Sequence, residues 1–365
     1  MHLCQSADSR IGGSLVVARD LVAKQVELGI DARLLYLYRS AQPTADRPRE
    51  LVPSVSLDID RSQRYGKGIR ELRRTLRELR PDVIHHHDGV AWTRLVTPGL
   101  GVPLVTHGHS EPPEDWIGRL IQRLVMRGTQ RMIAVSEWAA AGWMAAGFPR
   151  DRISVVTNGV DCARFRPRSA EARTARLAAL KIPTGGTRIL FWAGRLERAR
   201  KGLDRLVQVG KDLPADWTCI IAGDGTDREW LATQIETLPN KGQFRMLGNV
   251  TDAEEWFGIC DAYLFTSTVE PFGLVVLEAA ASGLPVMCFT CSGGAMELLT
   301  EIKADFVDGY DKAALASVFQ ALAAPGRGAV ARHVVEESYT WDRVARRTIE
   351  IYRELLGVRK ENSAG

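Results

Sequence analysis

Residues 267–286 read STVEPFGLVVLEAAASGLPV, and this stretch decides the fold expected for the chain. It lies between two short apolar runs, residues 262–265 and 285–289, whose lengths suit buried strands. Within it, Pro271 suits the approach to a helix, and apolar residues recur at helical spacing from Leu274 onward. This alternation of strand, loop and helix predicts a parallel α/β sheet.

The start of the predicted helix suits an anion. The backbone N–H groups of Phe272, Gly273 and Leu274 are expected to point out of the helix start, where the macrodipole favours negative charge. Glu270 precedes the helix, and Glu278 lies about one turn inside it. Two carboxylates beside a phosphate site suit a ligand that carries phosphates in its middle and hydroxyls at each end. A nucleotide-sugar has this form.

The Glu-x7-Glu spacing, with Pro-Phe-Gly-Leu inside it, resembles the signature of the retaining GT-B glycosyltransferases of family four. The resemblance assigns contact with hydroxyls of the transferred sugar to Glu270 and contact with the nucleotide ribose to Glu278. It implies an α/β fold of two Rossmann-like domains facing a central cleft, with a C-terminal helix crossing back to the first domain. The expected domains are residues 1–170 on the acceptor side, residues 171–340 for the donor, and residues 341–365 as the returning helix and tail.

A second match to this family lies in a basic loop of the donor domain. Gly-Arg-Leu at residues 194–196 and Lys-Gly at residues 201–202 resemble the element whose arginine and lysine hold the donor diphosphate. The resemblance assigns that role to Arg195 and Lys201. The bidentate fork of arginine and the point charge of lysine both suit phosphate oxygens. The alternative is that both are surface charges of a basic loop.

Glycine-rich turns follow other predicted strands. Gly12 and Gly13 stand between the first strand and a helix, which is the opening βα unit of a doubly wound fold. The turn lacks a full G-x-G-x-x-G and does not predict a dinucleotide site. In the family, a Gly-Gly here lies against the donor phosphate and the acceptor; a plain tight turn is the alternative. The donor-binding set implied by the resemblance is Gly12, Gly13, Arg195, Lys201, Gly223, Gly248, Glu270, Phe272, Gly273, Leu274 and Glu278.

Three consecutive histidines end a predicted strand at residues 82–88. Because adjacent side chains of a strand point to opposite faces, only His85 and His87 share a face, and the three do not converge on a metal. A structural or acceptor-lining role is favoured, and His87 is an acceptor-side candidate. No metal site is expected.

One histidine is expected to face the transferred sugar. The family places a histidine near the end of the strand that corresponds to residues 102–106, about six residues beyond a proline. Counting from Pro103 indicates His109. His107 is the rival if the strand is shorter here, and a third alternative is that both are hydrogen-bonded loop histidines.

The composition indicates a soluble globular protein of two domains, with 45% apolar and 25% charged residues. A net charge of +4 is only mildly basic and does not predict nucleic-acid binding. Six scattered cysteines are typical of reduced thiols in a cytosolic protein, and the Cys-x-x-Cys at residues 288–291 lacks a second ligand pair. Neither a signal peptide nor an apolar run of about 20 residues is present. A cytoplasmic location is therefore expected.

Two basic segments, near residues 61–80 and 115–131, are predicted to form amphipathic helices. The simpler interpretation is a solvated face over an apolar seam. The alternative is that their arginines contact an anionic membrane surface or an anionic lipid-linked acceptor. In that case the protein would lie peripherally on the cytoplasmic face of a membrane.

The resemblance implies retaining hexosyl transfer from a UDP- or GDP-linked sugar to a glycan or lipid-linked acceptor, without a metal or cofactor. Cell-surface polysaccharide or glycolipid biosynthesis would use such a reaction. Arg195, Lys201 and the helix start would stabilise the departing diphosphate, and His109 and Glu270 complete the catalytic set. The alternatives are a nucleotide-sugar epimerase of the same fold and a non-catalytic nucleotide-sugar-binding protein. The sequence does not indicate the sugar or the acceptor.

Overall fold

The computed structural model describes residues 1–6, 12–39, 52–87, 91–110, 118, 126, 128–307 and 311–358. The chain forms two compact units, which we call unit 1 (Met1–Gly159 with Trp341–Gly365) and unit 2 (Val160–Thr340). The boundary predicted at residue 170 lies in the segment that joins the last strand of unit 1 to the first strand of unit 2.

Unit 1 contains a sheet of seven parallel strands in the order β3-β2-β1-β4-β5-β6-β7. The strands are β1 (His2–Ser6), β2 (Leu34–Tyr38), β3 (Ser54–Ile59), β4 (Ile84–His87), β5 (Leu104–Gly108), β6 (Arg131–Ala134) and β7 (Ile153–Val155). Every residue of β2, β4 and β5 is buried, as expected for a parallel sheet that is covered on both faces.

Unit 2 contains a sheet of six parallel strands in the order β10-β9-β8-β11-β12-β13. The strands are β8 (Arg188–Ala193), β9 (Trp217–Ala222), β10 (Phe244–Gly248), β11 (Ala262–Phe265), β12 (Val286–Cys288) and β13 (Asp305–Phe306). The strand order reverses between β8 and β11 here and between β1 and β4 in unit 1. Open α/β sheets bind ligands at the carboxyl ends of strands beside such a reversal.

Helices cover both sheets. Those of unit 1 are α1 (Gly12–Glu27), α2 (Ile69–Leu79), α3 (Glu137–Ala145) and α13 (Trp341–Leu356). Those of unit 2 are α4 (Ala170–Ala179), α5 (Arg198–Lys201), α6 (Leu203–Lys211), α7 (Arg228–Glu236), α8 (Ala253–Ile259), α9 (Leu274–Ala281), α10 (Ala295–Glu301), α11 (Lys312–Leu322) and α12 (Ala329–Ser338). The C-terminal helix α13 packs against α1, so the end of the chain returns to unit 1 as expected.

The first basic segment is helical over a shorter range than predicted. Its opening part forms a 3-10 turn (Arg61–Gln63) and a single π turn (Arg64–Gly68), and the α-helix begins at Ile69. Most of the second segment, near residues 115–131, lies outside the described residues, as does the polar tail. None of the helices in the described ranges has the length and apolar character needed to cross a bilayer.

Candidate functional site

The loops after β8 and β11 bring together a cation and a carboxylate that are far apart in sequence. Lys201 ends the short helix α5, and Glu270 lies in the loop that leads into α9. The Lys201 Nζ atom lies 2.5 Å from the Glu270 Oε2 atom, and both side chains are partly buried. Two residues that the sequence analysis assigned to the diphosphate and to the sugar therefore meet at one point.

The position of Lys201 is fixed by the end of β11. Trp192 Nε1 donates to Thr266 Oγ1 at 2.8 Å, and Thr266 Oγ1 donates to the Lys201 carbonyl oxygen at 2.6 Å. The next residue, Gly202, has a φ of +61°, and a Cβ atom there would lie 2.1 Å from the Thr266 carbonyl oxygen. Only glycine permits this approach, so Gly202 allows the loop that carries Lys201 to lie against β11.

Glu270 is held by the loop that follows β12. Its backbone N–H donates to the Ser292 carbonyl oxygen at 2.9 Å, and its own carbonyl oxygen accepts from the Ala295 N–H at 3.1 Å. A Cβ atom on Gly293 would lie 2.1 Å from that same Glu270 carbonyl oxygen. Two hydrogen bonds from residues 292–295 therefore position the Glu270 backbone, and glycine at 293 allows this close approach.

The start of α9 has the features expected of an anion site. Its N-cap residue, Gly273, has a φ of +94°, and no side chain in the described part of the protein caps it. The backbone amides of the first turn and the helix macrodipole favour a negative charge at this end. Phe272 is buried beside the cap, whereas Leu274 and Glu278 are half-buried on the helix.

Arg195 lies in the same loop as Lys201 but is exposed, with its Nη1 atom 3.2 Å from the Glu197 carboxylate. Its partner in this conformation is therefore Glu197, and not Glu270. Backbone hydrogen bonds join this loop to the turns after β9 and β10, since Leu196 N–H donates to the Asp224 carbonyl oxygen and Gly223 N–H to that of Gly248. The three turns form one connected surface at the carboxyl edge of the sheet.

The predicted glycines of the donor set lie in both units. Gly12 and Gly13 are the first two residues of α1 in unit 1, so they lie in the helix rather than in a turn before it. At Gly223 a Cβ atom would lie 1.8 Å from the Gly194 carbonyl oxygen. The close approach of these two loops is enough to require glycine at position 223. This holds whether or not Gly223 also contacts a donor.

Unit 1 contains a cluster of imidazole rings that the sequence analysis did not foresee. His2 pairs with His85 in the register of β1 and β4, and His87 pairs with His107 in the register of β4 and β5. Neighbouring rings of the cluster have centroids 4.1–5.4 Å apart. We call the following five residues the histidine cluster: His2, His85, His87, His107 and His109.

Strand alternation holds at the triple histidine, as predicted. The rings of His85 and His87 stack on one face with centroids 4.6 Å apart. The ring of His86 points to the other face, where its Nδ1 atom is 3.1 Å from Thr93 Oγ1. The third imidazole ring beside His85 and His87 belongs to His2, which lies on the neighbouring strand β1.

Hydrogen bonds connect the histidine cluster to two helices of unit 1. His2 Nε2 donates to Gln25 Oε1 on α1 at 2.8 Å, and the His2 Nδ1 and His87 Nε2 atoms are 3.0 Å apart. On its other side, the His87 Nδ1 atom is 2.9 Å from His109 Nε2. The His85 Nδ1 atom is 2.5 Å from the hydroxyl of Tyr352 on α13.

Burial keeps these rings neutral. Desolvation lowers the pKa of His2 and that of His109 to about 3. Desolvation first, and repulsion between neighbouring rings second, lower the pKa of His85, His87 and His107 well below the ordinary value. At neutral pH each ring therefore has one N–H donor and one bare nitrogen.

The two rivals for the sugar-facing role differ in exposure. The strand β5 extends to Gly108, two residues beyond the predicted end, so His107 lies inside the strand and is fully buried. His109 follows the strand and is half-buried, with its ring 4.1 Å from that of His107. Of the two, His109 presents more of its surface to solvent.

Comparisons with known proteins agree with this architecture. Residues 11–164 match the family model described as Glycosyltransferase Family 4, and residues 178–324 match Glycosyl transferases group 1. The chain is 32% identical over 304 residues to a D-inositol 3-phosphate glycosyltransferase of Xylanimonas cellulosilytica, covering 75% of this chain and 72% of that relative. It is 26% identical over 311 residues to a glycogen synthase of Mycobacterium tuberculosis, covering 76% of this chain and 70% of that relative.

Solved structures show the same fold. The crystal structure of Anabaena HepE in complex with UDP matches with a TM-score of 0.81 at 20% identity, covering 97% of this chain and 99% of that one. Two Rossmann-like units with parallel sheets, together with these matches, define a glycosyltransferase of the GT-B class. The chain belongs to glycosyltransferase family 4, and its second unit carries the group 1 domain.

Proposed function

We propose that this glycosyltransferase moves a hexosyl group from a UDP- or GDP-linked sugar to a glycan or lipid-linked acceptor, with retention of anomeric configuration. The observation that carries the proposal is the contact between Lys201 and Glu270 beside the start of α9. The contact supports the assignment of Lys201 to phosphate and of Glu270 to sugar hydroxyls, because a cation and a carboxylate lie within reach of a single small ligand. HepE, which shares the fold, is described in complexes with UDP and with UDP-glucose.

The charges of the protein suit the departing diphosphate. As the bond between sugar and phosphate breaks, negative charge grows on the diphosphate and positive charge on the sugar. Lys201, Arg195 and the amides at Gly273 would stabilise the negative charge, with no bridging metal and no cofactor required. Because Lys201 is already fixed through Thr266, little reorganisation accompanies the reaction.

Glu270 and His109 are assigned to the sugar. A donor that enters the site replaces the Lys201–Glu270 ion pair with two separate interactions, phosphate with Lys201 and sugar hydroxyls with Glu270. Glu278, half-buried on α9, is assigned to the ribose. His109 is neutral at physiological pH, so its contribution is a hydrogen bond rather than a charge.

The acceptor side carries a basic surface that suits an anionic or lipid-linked acceptor. A depression of about 890 Å³ lies along α2, and its lining residues include Arg70, Arg73, Arg74 and Arg77. We place the enzyme at the cytoplasmic face of a membrane, in the synthesis of cell-surface polysaccharide or glycolipid. Arginine-rich surfaces of this kind attract anionic lipid head groups.

The test is to incubate the full chain with each UDP- and GDP-sugar in turn and to measure thermal stability and nucleoside diphosphate release. A donor at 100 times its Kd should add about 2.7 kcal/mol to the stability. With extracted lipid-linked acceptors, the amount of diphosphate released should equal the amount of sugar transferred. Nuclear magnetic resonance should show the donor's anomeric configuration in the product, and the rate should not depend on added Mg²⁺ or Mn²⁺.

Other outcomes contradict the proposal in distinct ways. An epimerised sugar formed without any acceptor identifies an epimerase. Stabilisation by a nucleotide-sugar without turnover on any acceptor identifies a binding protein. An inverted product removes the retaining part of the proposal, and a rate that requires added Mg²⁺ or Mn²⁺ removes the metal-independent part.

A further inference from the structure

Three members of the histidine cluster surround one point inside unit 1. One nitrogen from each of His2, His85 and His87 lies within 4.8 Å of the others. His2 and His85 are register partners on adjacent strands, and His87 follows two residues later on the same face. All three residues are buried. The backbone of two hydrogen-bonded strands fixes the spacing of their Cα atoms.

We propose that His2, His85 and His87 form a binding site for a transition-metal ion of the zinc type. Imidazole nitrogen is a preferred ligand of Zn²⁺, at Zn–N distances of about 2.0–2.1 Å. Tetrahedral ligands at that distance lie about 3.3 Å apart. The His2 Nδ1 and His87 Nε2 atoms, 3.0 Å apart, are already close to this spacing. The ring of His85 is stacked on that of His87 and would have to turn for its nitrogen to complete the set.

The outer nitrogen of each ring already has a partner, which is the pattern that surrounds metal-bound histidines. His2 Nε2 donates to Gln25 Oε1, His85 Nδ1 contacts the Tyr352 hydroxyl, and His87 Nδ1 contacts His109 Nε2. Metal-ligating histidines usually donate their second N–H to such a group, which fixes the tautomer and the ring orientation. The inner nitrogens are His2 Nδ1, His85 Nε2 and His87 Nε2, of which those of His2 and His87 are hydrogen-bonded to each other.

The inner nitrogen of His85 has no partner among the residues that the structure describes. This Nε2 atom is also buried. A buried polar atom left unpaired destabilises a protein by about 1–3 kcal/mol. A metal ion would satisfy this atom, and two metal–nitrogen bonds would take the place of the hydrogen bond between His2 and His87.

The ligand type defines the class of ion, because the three candidate ligands that the described residues bring together are all imidazoles. Imidazole is the commonest side-chain ligand of transition metals in proteins. A set of nitrogens without carboxylates suits zinc, copper or nickel rather than magnesium or calcium. Three protein ligands leave one tetrahedral position for water.

A second combination, His87 with His107 and His109, also lies within 4.8 Å. His107 argues against it, because neither of its ring nitrogens has a hydrogen-bond partner in the described ranges to orient the ring. The site on β1 and β4 has an orienting partner at every ring. His85 belongs only to the first set and His107 only to the second, so substitutions of these two residues distinguish the sets.

Occupation of the site would reverse the hydrogen bond between His87 and His109. Without metal, His2 Nδ1 is bare, so His87 donates from Nε2 and accepts from His109 Nε2. A metal on His87 Nε2 moves the His87 proton to Nδ1, which then donates to His109, and the His109 proton moves to its own Nδ1. Each ring keeps one proton.

The experiment titrates the untagged, chelator-treated full chain with Co²⁺ and then displaces it with Zn²⁺. One equivalent of Co²⁺ should give the visible d–d absorption of a tetrahedral site, and one equivalent of Zn²⁺ should abolish it. The variants His2→Gln and His85→Gln should bind Co²⁺ at least 100-fold more weakly. Gln25→Ala and Tyr352→Phe, which change only the outer partners, should weaken binding by about 10- to 100-fold.

Controls make the result specific. His333→Gln removes an exposed histidine of unit 2, and His107→Gln removes the rival ligand; both should bind Co²⁺ as the wild type does. Far-ultraviolet circular dichroism shows whether each variant is folded. Tyr352→Phe removes only a hydroxyl group, so it still tests the site if one of the histidine variants does not fold. Absence of a d–d band in the wild type, unchanged binding in His85→Gln, or loss in His107→Gln alone would overturn the proposal.

Discussion

Lys201 Nζ and Glu270 Oε2 lie 2.5 Å apart although 68 residues separate them in the chain. The contact exists because β8 and β11 are neighbours in the sheet, so the loops at their carboxyl ends meet. Each residue is held by backbone contacts of its own, Lys201 through Thr266 and Glu270 through Ser292. The ion pair therefore lies on a rigid support, as a preorganised site requires.

Replacing either cation of the donor loop should reduce turnover sharply. Loss of one partner of a developing anion typically lowers the rate by about 100- to 1000-fold, and we expect this for Lys201→Ala and Arg195→Ala. Nucleoside diphosphate release at saturating donor is the measurement. The matched controls are Lys211→Ala on the exposed end of α6 and Arg198→Ala in the same loop as Arg195. Near-wild-type rates for Lys201→Ala would mean that the diphosphate binds elsewhere.

Glu270 can act as a hydroxyl ligand or as a nucleophile, and two substitutions distinguish these roles. If it binds hydroxyls, Glu270→Gln keeps a hydrogen-bonding group and should lose only about 10- to 150-fold in kcat/KM, the value of one charge-assisted hydrogen bond. Glu270→Ala should lose more than Glu270→Gln. Equal and complete loss in both would support a nucleophile. Glu236→Gln, which changes an exposed ion pair with Lys241, is the control.

Gly202 should tolerate no side chain. In Gly202→Ala the left-handed backbone costs about 1–2 kcal/mol, and contact of the new Cβ atom with the Thr266 carbonyl oxygen adds about 1–3 kcal/mol. Gly326→Ala is the matched control, because Gly326 has a similar φ of +73° with nothing within 4 Å of its Cβ position. The free energy of unfolding of both variants is measured by urea denaturation, with tryptophan fluorescence as the signal. Equal losses in the two variants would show that the contact relaxes without cost.

Local patterns were sufficient to predict most of the fold. Apolar runs of four and five residues, at 262–265 and 285–289, predicted the strands β11 and β12, because such runs depend only on neighbouring residues. The basic helix was extended too far toward its start. Asp60 accepts a hydrogen bond from the Ser62 N–H and begins a 3-10 turn there, and Gly66 and Gly68 disfavour an α-helix before Ile69.

The histidine cluster depends on contacts between distant parts of the chain. His2 reaches His85 and His87 only because β1 and β4 are neighbours at the point where the strand order reverses. Tyr352 joins the cluster from α13, 267 residues after His85. A histidine in the first strand, together with the doubly wound strand order, was the signal that would have placed His2 beside His85. The alternation of side chains along a single strand relates only His85, His86 and His87 to one another, so it gives no information about His2.

The arginines of α2 should bind an anionic membrane if this surface holds the acceptor. Each Lys or Arg near such a surface contributes about 1 kcal/mol, so changing Arg70, Arg73, Arg74 and Arg77 to Gln should weaken partitioning to phosphatidylserine vesicles about a thousand-fold at low salt. The fold should survive, because the buried residues of the helix, Leu72, Thr75 and Leu76, are unchanged. A sedimentation assay measures the partitioning.

The matched control removes the same charge from α13 by changing the exposed residues Arg343, Arg346, Arg347 and Arg353 to Gln. Equal binding by both variants would leave α2 as a solvated face.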